Sequence, residues 1–509
     1  MNTLDNNSTG PMVQKLPVRD LFFLGGISVA SILGIIAGFL CSAFLPPRYS
    51  SFSAYSPLVG LAAGLFCYLV ALRPKIVYLG FVFFCLISYE TLEEITLPLG
   101  FMKLYVQDVA LAFNFCFLLL RFFFGWAPQR KHIMNYFVVG YFVLGFFSAW
   151  NGLLLSHNPY DAVFGDMRRA FAYFLNYFFA LYLLDDLKEV LLLRRVMFAG
   201  TLALILKGVF QLATGQFYYR RLGDAAHILS HIELTFLSFG IFYALARVLF
   251  DLRAKTWPWA TIAFAGILVT VIGNYRASWL GLAAGLFCLF LFLPLRRRFQ
   301  VAGIVGALAI LGALTLYALW DVEILGNTTI GQEISAKADV KNAPLDVNVI
   351  WRFDSYRGAM EYWKQRPWLG CGLGTKVEFI TITTRGTPYL ALDHRIHNSF
   401  IWLFMTQGII GFPFALLPHV AFLIICIRYL RITSWTEGKV TVMACLGYAV
   451  SMLVSTAFEH FLETGTTITV YGSVMGLAVA TMLLSPKQDV LPSRNESDEP
   501  AVLKTIEKF

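Results

Sequence analysis

The chain has 509 residues, of which 58% are hydrophobic and only 14% are charged. A soluble domain carries about 25% charged residues, so this balance excludes an ordinary soluble protein and indicates a polytopic membrane protein. The net charge of +9 is typical of basic loops that face an anionic membrane leaflet, and we expect phospholipid rather than nucleic acid as the partner.

Apolar runs recur along the chain at lengths that approach the roughly 20 residues needed to cross a bilayer. They predict an all-α polytopic membrane protein with about 12–14 transmembrane helices. In chain order, the candidate spans lie near residues 21–45, 57–72, 76–90, 105–124, 134–154, 170–184, 196–213, 228–250, 257–275, 277–293, 301–320, 399–430, 440–458 and 466–484.

The basic residues predict the orientation of these spans. With the N-terminus in the cytoplasm, the main basic clusters all fall on the cytoplasmic side, as the positive-inside rule requires. The predicted regions are a cytoplasmic N-terminus (1–20), a transmembrane bundle (21–320), a large periplasmic loop (321–397), C-terminal transmembrane helices (398–485) and a disordered cytoplasmic tail (486–509).

The large loop is far longer than most connections, and its second half has a helical pattern. Trp351, Tyr356, Met360 and Trp363 recur at helical spacing before Pro367, which predicts a short helix with its aromatic face on the membrane interface. The following stretch "GCGLGT" (370–375) reads as a tight turn. Its alternative, a phosphate-binding loop, lacks the full nucleotide fingerprint.

Five arginines are exceptions to the cytoplasmic placement of the basic residues, because they fall at the predicted outer ends of three spans. A charge near lipid usually faces a partner or a water-filled cavity, so the group predicts an anionic ligand at the outer face. The alternative is that each arginine reaches phospholipid headgroups. The five residues are Arg168, Arg169, Arg220, Arg221 and Arg276.

The stretch "DHRIHNSF" (393–400) gathers polar residues directly before an apolar helix. His397 is a candidate general base, because histidine titrates near neutral pH and can take a proton from a sugar hydroxyl. The alternative is an inert histidine at a helix cap. His394 and His397 have no third ligand at metal-motif spacing, and the eight cysteines form no metal motif, so we expect no metal site.

A second polar group, "FEHFLETG" (458–465), sets Glu459, His460 and Glu463 at the outer mouth of a later span. Such a trio would suit a proton relay in a transporter. Ionisable residues are scarce in the middle of most predicted spans, and no inverted repeat is visible. Chemistry at the outer face is therefore favoured over transport.

Three stretches resemble the O-antigen ligase and O-antigen polymerase superfamily of bacterial envelope glycosyltransferases. They are "NYRASWLGLAAG" (274–285), "WRFDSYRGAMEYWKQRPWLGCGLG" (351–374) and "HNSFIWLFMTQGIIG" (397–411). In the last one, His397 and Asn398 are followed after nine residues by Gly408 and Gly411.

The resemblance implies a GT-C-like fold in the bacterial inner membrane, with one long periplasmic loop that contains short helices. It implies a metal-independent, inverting glycosyltransferase without a cofactor. The donor would be an oligosaccharide on undecaprenyl pyrophosphate. The acceptor would be a growing glycan for a polymerase of O-antigen or exopolysaccharide, or lipid A-core for a ligase.

Site residues carry over from the resemblance by position. His397 matches the loop histidine that serves as base, and Arg276 matches an outward arginine. Pyrophosphate binding would involve Arg220 or Arg221, and Arg168 and Arg169 match as basic residues before a span. The candidates for orienting the base or binding the acceptor are Asp393, His394, Arg395, Asn398, Glu459 and His460.

The motif is shared by both reactions and does not choose between them. The chain is long for a typical ligase, which favours a polymerase. A flippase or other polysaccharide transporter remains as the alternative of another class, and the sequence does not determine the oligomeric state.

Overall fold

A computed structural model describes twelve stretches of the chain, and all structural statements below concern them. They are residues 74–88, 96–98, 103–214, 228–251, 255–273, 275–293, 295–318, 323–324, 328–329, 347–383, 386–393 and 396–485. Contacts divide the chain into two units, Met1–Val77 and Tyr78–Phe509, and the candidate site lies in the second.

Helices dominate the described residues, with three small two-stranded antiparallel sheets between them. The α-helices are α1 (Pro74–Ile87), α2 (Val106–Phe123), α3 (Ile133–Trp150), α4 (Tyr160–Asp166), α5 (Asn176–Tyr182), α6 (Leu187–Thr214), α7 (His231–Phe250), α8 (Thr256–Ile272), α9 (Arg276–Leu291), α10 (Leu295–Ala318), α11 (Val347–Gln365), α12 (Ser399–Ile432), α13 (Thr436–Thr456) and α14 (Gly465–Leu483). The strands are β1 (Thr96–Pro98) and β2 (Lys103–Tyr105), β3 (Glu323–Ile324) and β4 (Thr328–Thr329), and β5 (Val377–Ile382) and β6 (Pro388–Asp393).

The prediction of an all-α polytopic membrane protein is confirmed. Six helical segments of the described residues are long and apolar enough to cross a membrane: Ile133–Leu155, Leu187–Thr214, His231–Phe250, Ser399–Ile432, Thr436–Thr456 and Gly465–Leu483. Lys75–Ile87, Thr256–Ile272 and Arg276–Leu291 are shorter apolar helices. The predicted spans at 21–45 and 57–72 lie outside the described residues.

The predicted span at 170–184 is not one regular helix. A π-helix (Met167–Phe171) and a 3₁₀-helix (Ala172–Leu175) precede α5. This segment packs closely on α14, where Gly465 lies against the Tyr173 ring and Gly476 against the Tyr177 backbone. Small residues let helix backbones approach in this way, and the irregular turns bring bulky aromatic side chains to that surface.

The helix predicted before Pro367 is present as α11, but its environment differs from the prediction. Its aromatic face packs on protein rather than facing only the membrane: Trp351 lies edge-on to Phe379 of β5, and Trp363 packs on Phe404 of α12. The hairpin of β5 and β6 that supports this packing was not predicted.

A break in α12 at Gly408 receives the glycine-rich turn that follows α11. Gly408 has φ of 65°, a left-handed conformation that favours glycine. The Cys371 amide donates to the Met405 carbonyl at 2.9 Å, and the Ile409 amide donates to the Pro367 carbonyl at 2.9 Å. The turn thus satisfies backbone groups that the break releases, which fixes the first half of α12 against the loop.

Candidate active site

His397 lies immediately before α12 because Asn398 caps that helix. Asn398 Oδ1 accepts hydrogen bonds from the Phe400 and Ile401 amides at 3.0 and 3.1 Å. Asparagine is among the preferred N-cap residues, since it satisfies amides that have no partner within the helix. The cap thus fixes where α12 begins, and the His397 side chain just before it is 23% exposed.

α11 holds His397 from one side. Tyr356 Oη donates to the His397 carbonyl at 2.7 Å, which fixes the backbone. The Trp351 ring stands edge-on to the imidazole, with 5.2 Å between ring centroids. The imidazole therefore has an aromatic wall and a fixed attachment point, and its rotation is restricted.

The Glu459 carboxylate lies at the centre of the site and bonds two basic groups. Its Oε2 is 3.0 Å from His397 Nδ1, and its Oε1 accepts from Arg352 Nη2 at 2.7 Å. The Glu459 side chain is 4% exposed. Glu459 follows α13, and Ser399 at the start of α12 bonds its carbonyl through both the amide and the hydroxyl. The two helix ends are thereby joined at the site.

These contacts keep Glu459 ionised. Burial alone would raise the pKa of this carboxyl, but the hydrogen bond with His397 and the charge of Arg352 outweigh it, with smaller contributions from His231 and from the charge of His397. The pKa of Glu459 therefore lies well below its usual range. An ionised carboxylate accepts only, so His397 Nδ1 carries a hydrogen, and in the neutral ring the Nε2 atom presents a lone pair.

Two further histidines surround the carboxylate. His231 Nε2 lies 4.0 Å from Glu459 Oε2, and the His460 ring is 4.9 Å from the His397 ring between centroids. Ligand atoms of His231, Glu459 and His460 fall within 4.8 Å of one another, a spacing compatible with a metal ion. The Arg352 guanidinium on the same carboxylate opposes a second cation there.

Arg276 is the first residue of α9, and both its neighbours contact this end of the bundle. The Tyr275 ring lies 5.6 Å from the His231 ring between centroids. The Ala277 carbonyl accepts from Ser455 Oγ near the end of α13 at 2.9 Å. Arg276 is half-buried, so an arginine from the predicted outward group begins its helix beside the histidine cluster.

Arg168 and Arg169 each bond a carboxylate of their own chain. Arg168 Nη1 donates to Asp108 Oδ2 at 2.8 Å, and Arg169 Nη2 donates to Asp166 Oδ1 at 2.8 Å. Tyr173 Oη also donates to Asp108. A phosphate would have to share these guanidinium groups with carboxylates, so pyrophosphate binding by this pair stays a prediction.

Of the remaining predicted site residues, one lies in the hairpin of β5 and β6 and the others lie outside the described residues. Asp393 ends β6, where it pairs in register with Val377, and it is half-buried. His394, Arg395, Arg220 and Arg221 lie outside the described residues.

The turn at 370–375 uses its amides within the protein. The Gly372 amide donates to the Thr406 carbonyl at 3.0 Å, and the Gly374 amide donates to Asp166 Oδ2 at 2.8 Å. Asn158 Nδ2 donates to the carbonyls of Cys371 and Leu373 at 3.2 and 2.8 Å. These bonds agree with the tight turn, because a phosphate-binding loop needs free amides.

In a comparison with protein families, residues 260–416 match the family described as O-antigen ligase. This match supports membership of the O-antigen ligase/polymerase superfamily. Membership indicates a glycosyl-transferring enzyme in a membrane context. Comparison with curated proteins gives no match.

The region matched by the O-antigen ligase family runs from α8 into α12 and includes His397, Asn398, Arg276 and Gly408. Glu459 lies beyond its end, and the fold brings this residue to His397.

The sequence analysis did not select Arg352 or His231 as site residues. Arg352 belongs to the stretch "WRFDSYRG", on the helix that the sequence predicts at the membrane interface. His231 follows Ser230, which forms a capping box with Glu233, so its sequence context is that of a helix start. An arginine within a family motif was the one available signal.

Proposed function

We propose that this protein is a metal-independent, inverting glycosyltransferase of the bacterial inner membrane. Its donor would be a glycan linked to undecaprenyl pyrophosphate, used at the periplasmic face. The preferred reaction is the polymerisation of O-antigen or exopolysaccharide repeat units. The observation that carries the proposal is the buried Glu459 carboxylate bonded to His397, a partly exposed histidine within the region that matches the family.

His397 would act as the general base. With Nδ1–H held by Glu459, the Nε2 lone pair accepts the proton of an acceptor hydroxyl. The carboxylate fixes the tautomer and stabilises the imidazolium that forms, as an acidic partner of a catalytic histidine does elsewhere. A positioned base of this type contributes about 10²–10⁴-fold to the rate.

The transfer is a single displacement. The acceptor oxygen forms a bond to the anomeric carbon from the face opposite the pyrophosphate, and its proton passes to His397. The bond between that carbon and the pyrophosphate oxygen breaks, and the electron pair leaves with undecaprenyl pyrophosphate. The anomeric configuration inverts, and His397 afterwards releases its proton to water.

The leaving pyrophosphate needs fixed positive charge. Arg276 is our candidate, because it begins α9 beside the histidine cluster and arginine offers paired donors suited to phosphate. Arg220 or Arg221 would supply a second cation. Arg352 is committed to Glu459 and serves as a positioning residue.

The deciding experiment is the envelope glycan profile of a clean deletion, restored with wild type, with His397→Ala or with the matched control His132→Asn. His132 caps α3, and asparagine keeps that cap, so the control removes a histidine without removing its hydrogen bond. We expect wild type and His132→Asn to restore the profile and His397→Ala to fail at equal protein level.

The profile also separates the reactions. If the deletion leaves single repeats on the lipid A-core, or loses a secreted polymer, the protein is a polymerase. Long glycan that persists on the lipid carrier without reaching the lipid A-core would identify the ligase alternative. An unchanged profile in the deletion would count against both reactions and would favour the transporter or a second, redundant enzyme. Full restoration of the profile by His397→Ala would show that His397 is not the general base.

A further inference from the structure

A second polar cluster lies at the opposite end of α7 and α13 from Glu459. α7 begins at His231, beside the candidate active site, and α13 ends three residues before Glu459. At their other ends, Arg247 of α7 and Glu437 of α13 form an ion pair at 2.7 Å. This second cluster is therefore separated from the first by nearly the length of a membrane-spanning helix.

A cavity of about 450 Å³ opens at this cluster, and its lining includes Arg194, Arg195, Arg247 and Glu437. Arg194 is buried, and its Nη1 donates to Glu437 at 2.6 Å. Arg247 donates to Glu437 at 2.8 Å and to Asp251 at 2.7 Å. The cavity is lined by three arginines and one glutamate, and Asp251, which does not line it, pairs with Arg247. Counting both carboxylates, one positive charge remains in excess.

Arg195 carries that excess. It is exposed at the cavity, and within the part of the chain that the structure describes it has no ion-pair partner. Arg194 and Arg247 are fixed beside it, because both guanidinium groups also lie over the Tyr243 ring, at 5.1 and 5.4 Å from its centroid. Fixed arginines next to an open one form a pre-organised anion site, since little side-chain freedom remains to be lost.

Tryptophans place the cavity at the level of lipid headgroups. Trp259 lines it, and Trp257 in the same first turn of α8 is 69% exposed. Tryptophan is enriched where the hydrocarbon core meets the polar headgroups, because its ring is apolar and its N–H is polar. An anion that reaches this cavity would come from the headgroup layer or from the adjoining water.

We propose that this cavity binds a phosphate group, carried by an anionic phospholipid headgroup or free in solution. Arg195 would supply paired hydrogen bonds to phosphate oxygens, and Arg194 and Arg247 would add positive potential at the rear wall. The site is independent of the proposed glycosyl transfer, since it shares no residue with the candidate active site.

The test compares wild type, Arg195→Gln and the control Arg431→Gln in purified full-length protein. Arg431 is exposed near the end of α12 and does not line the cavity. Binding would be measured with nanodiscs or micelles that contain phosphatidylglycerol or phosphatidylcholine, and separately with inorganic phosphate. We expect phosphatidylglycerol to bind wild type more tightly than phosphatidylcholine does. Arg195→Gln should weaken that binding about fivefold, and Arg431→Gln less than twofold.

The two sources of phosphate give different results. Binding of inorganic phosphate that is lost in Arg195→Gln would support the site with a free anion as its ligand, and selectivity for phosphatidylglycerol alone would support a headgroup. Equal binding by all three proteins, or equal losses in both variants, would overturn the proposal, because general surface charge would then explain the result. Arg195 is exposed and unpaired among described residues, so its substitution leaves the fold in place.

Discussion

Replacing Glu459 by glutamine tests the candidate active site most directly. The carboxylate accepts from both His397 Nδ1 and Arg352 Nη2, whereas a glutamine side chain offers one accepting and one donating end. If glutamine accepts from Arg352, its NH₂ group faces His397 Nδ1 and favours the tautomer that carries hydrogen on Nε2. That tautomer cannot accept a proton from an acceptor hydroxyl.

The structure sets the expected magnitudes. Neutralising a carboxylate that orients a functional histidine lowers activity by about 10-fold to about 10⁴-fold. The burial of Glu459 places this case in the upper part of that range. We expect transfer to fall by about 10²–10⁴-fold. The lost ion pair should destabilise the fold by about 3 kcal/mol, the low end for buried pairs, because Arg352 is 31% exposed.

The assay measures transfer from a purified lipid-linked oligosaccharide to an acceptor by equal amounts of folded protein. Glu361→Gln is the matched control, because Glu361 pairs with Lys364 at the surface and both side chains are 60% exposed. Glu459→Asp keeps the charge at a shorter reach and should lie between wild type and Glu459→Gln. Transfer by Glu459→Gln within threefold of wild type would refute the orienting role.

Three further predictions concern stability, measured by thermal unfolding of the purified protein. Because the folded-state pKa of Glu459 is lowered, its contribution is complete above the unfolded value near 4.3 and is lost as pH falls towards the folded value. The difference in Tm between wild type and Glu459→Gln should therefore not narrow between pH 8 and 5, and should narrow only below about pH 4.3; narrowing already at pH 6 would contradict this. Asn398→Ala should lower the free energy of unfolding by about 1 kcal/mol through loss of the α12 cap, and Asn398→Asp should keep most of that stability. Equal stability of Asn398→Ala and wild type would contradict the role of the cap. Gly408→Ala should cost more than 1 kcal/mol, because φ is 65° and the added Cβ would lie 2.4 Å from the Trp368 carbonyl oxygen; Gly140→Ala, with open space around it, is the control.

Much of the fold follows from the sequence because hydrophobic length is a local property. The predicted spans at 228–250 and 466–484 correspond closely to α7 and α14, and Pro367 correctly marked the end of the helical pattern in the loop. The irregular turns before α5 were not predictable in this way. They depend on close packing against α14, which lies far away in the sequence.

In the candidate site too, the local features could be predicted from the sequence and the long-range contacts could not. The position of His397 before an apolar helix was visible in the sequence, and so was a polar group at Glu459. Their separation of 3.0 Å was not, because it depends on how the start of α12 meets the end of α13. Arg352 was missed for a related reason: the partner that gives it a role comes from a distant segment.

His419 separates the glycosyltransferase from the transporter alternative. It is buried in the middle of α12, where its Nδ1 lies 3.1 Å from Tyr471 Oη of α14 and its ring packs near Tyr141. A transporter that moves protons across the bilayer would need such a deep titratable group, whereas transfer at one face would not. We therefore expect His419→Gln, which keeps a hydrogen-bonding partner for Tyr471, to lower stability by about 1 kcal/mol and to leave glycan transfer within threefold of wild type. Loss of the glycan product at normal protein level, comparable to that of His397→Ala, would contradict chemistry confined to the Glu459 end and would favour the transporter.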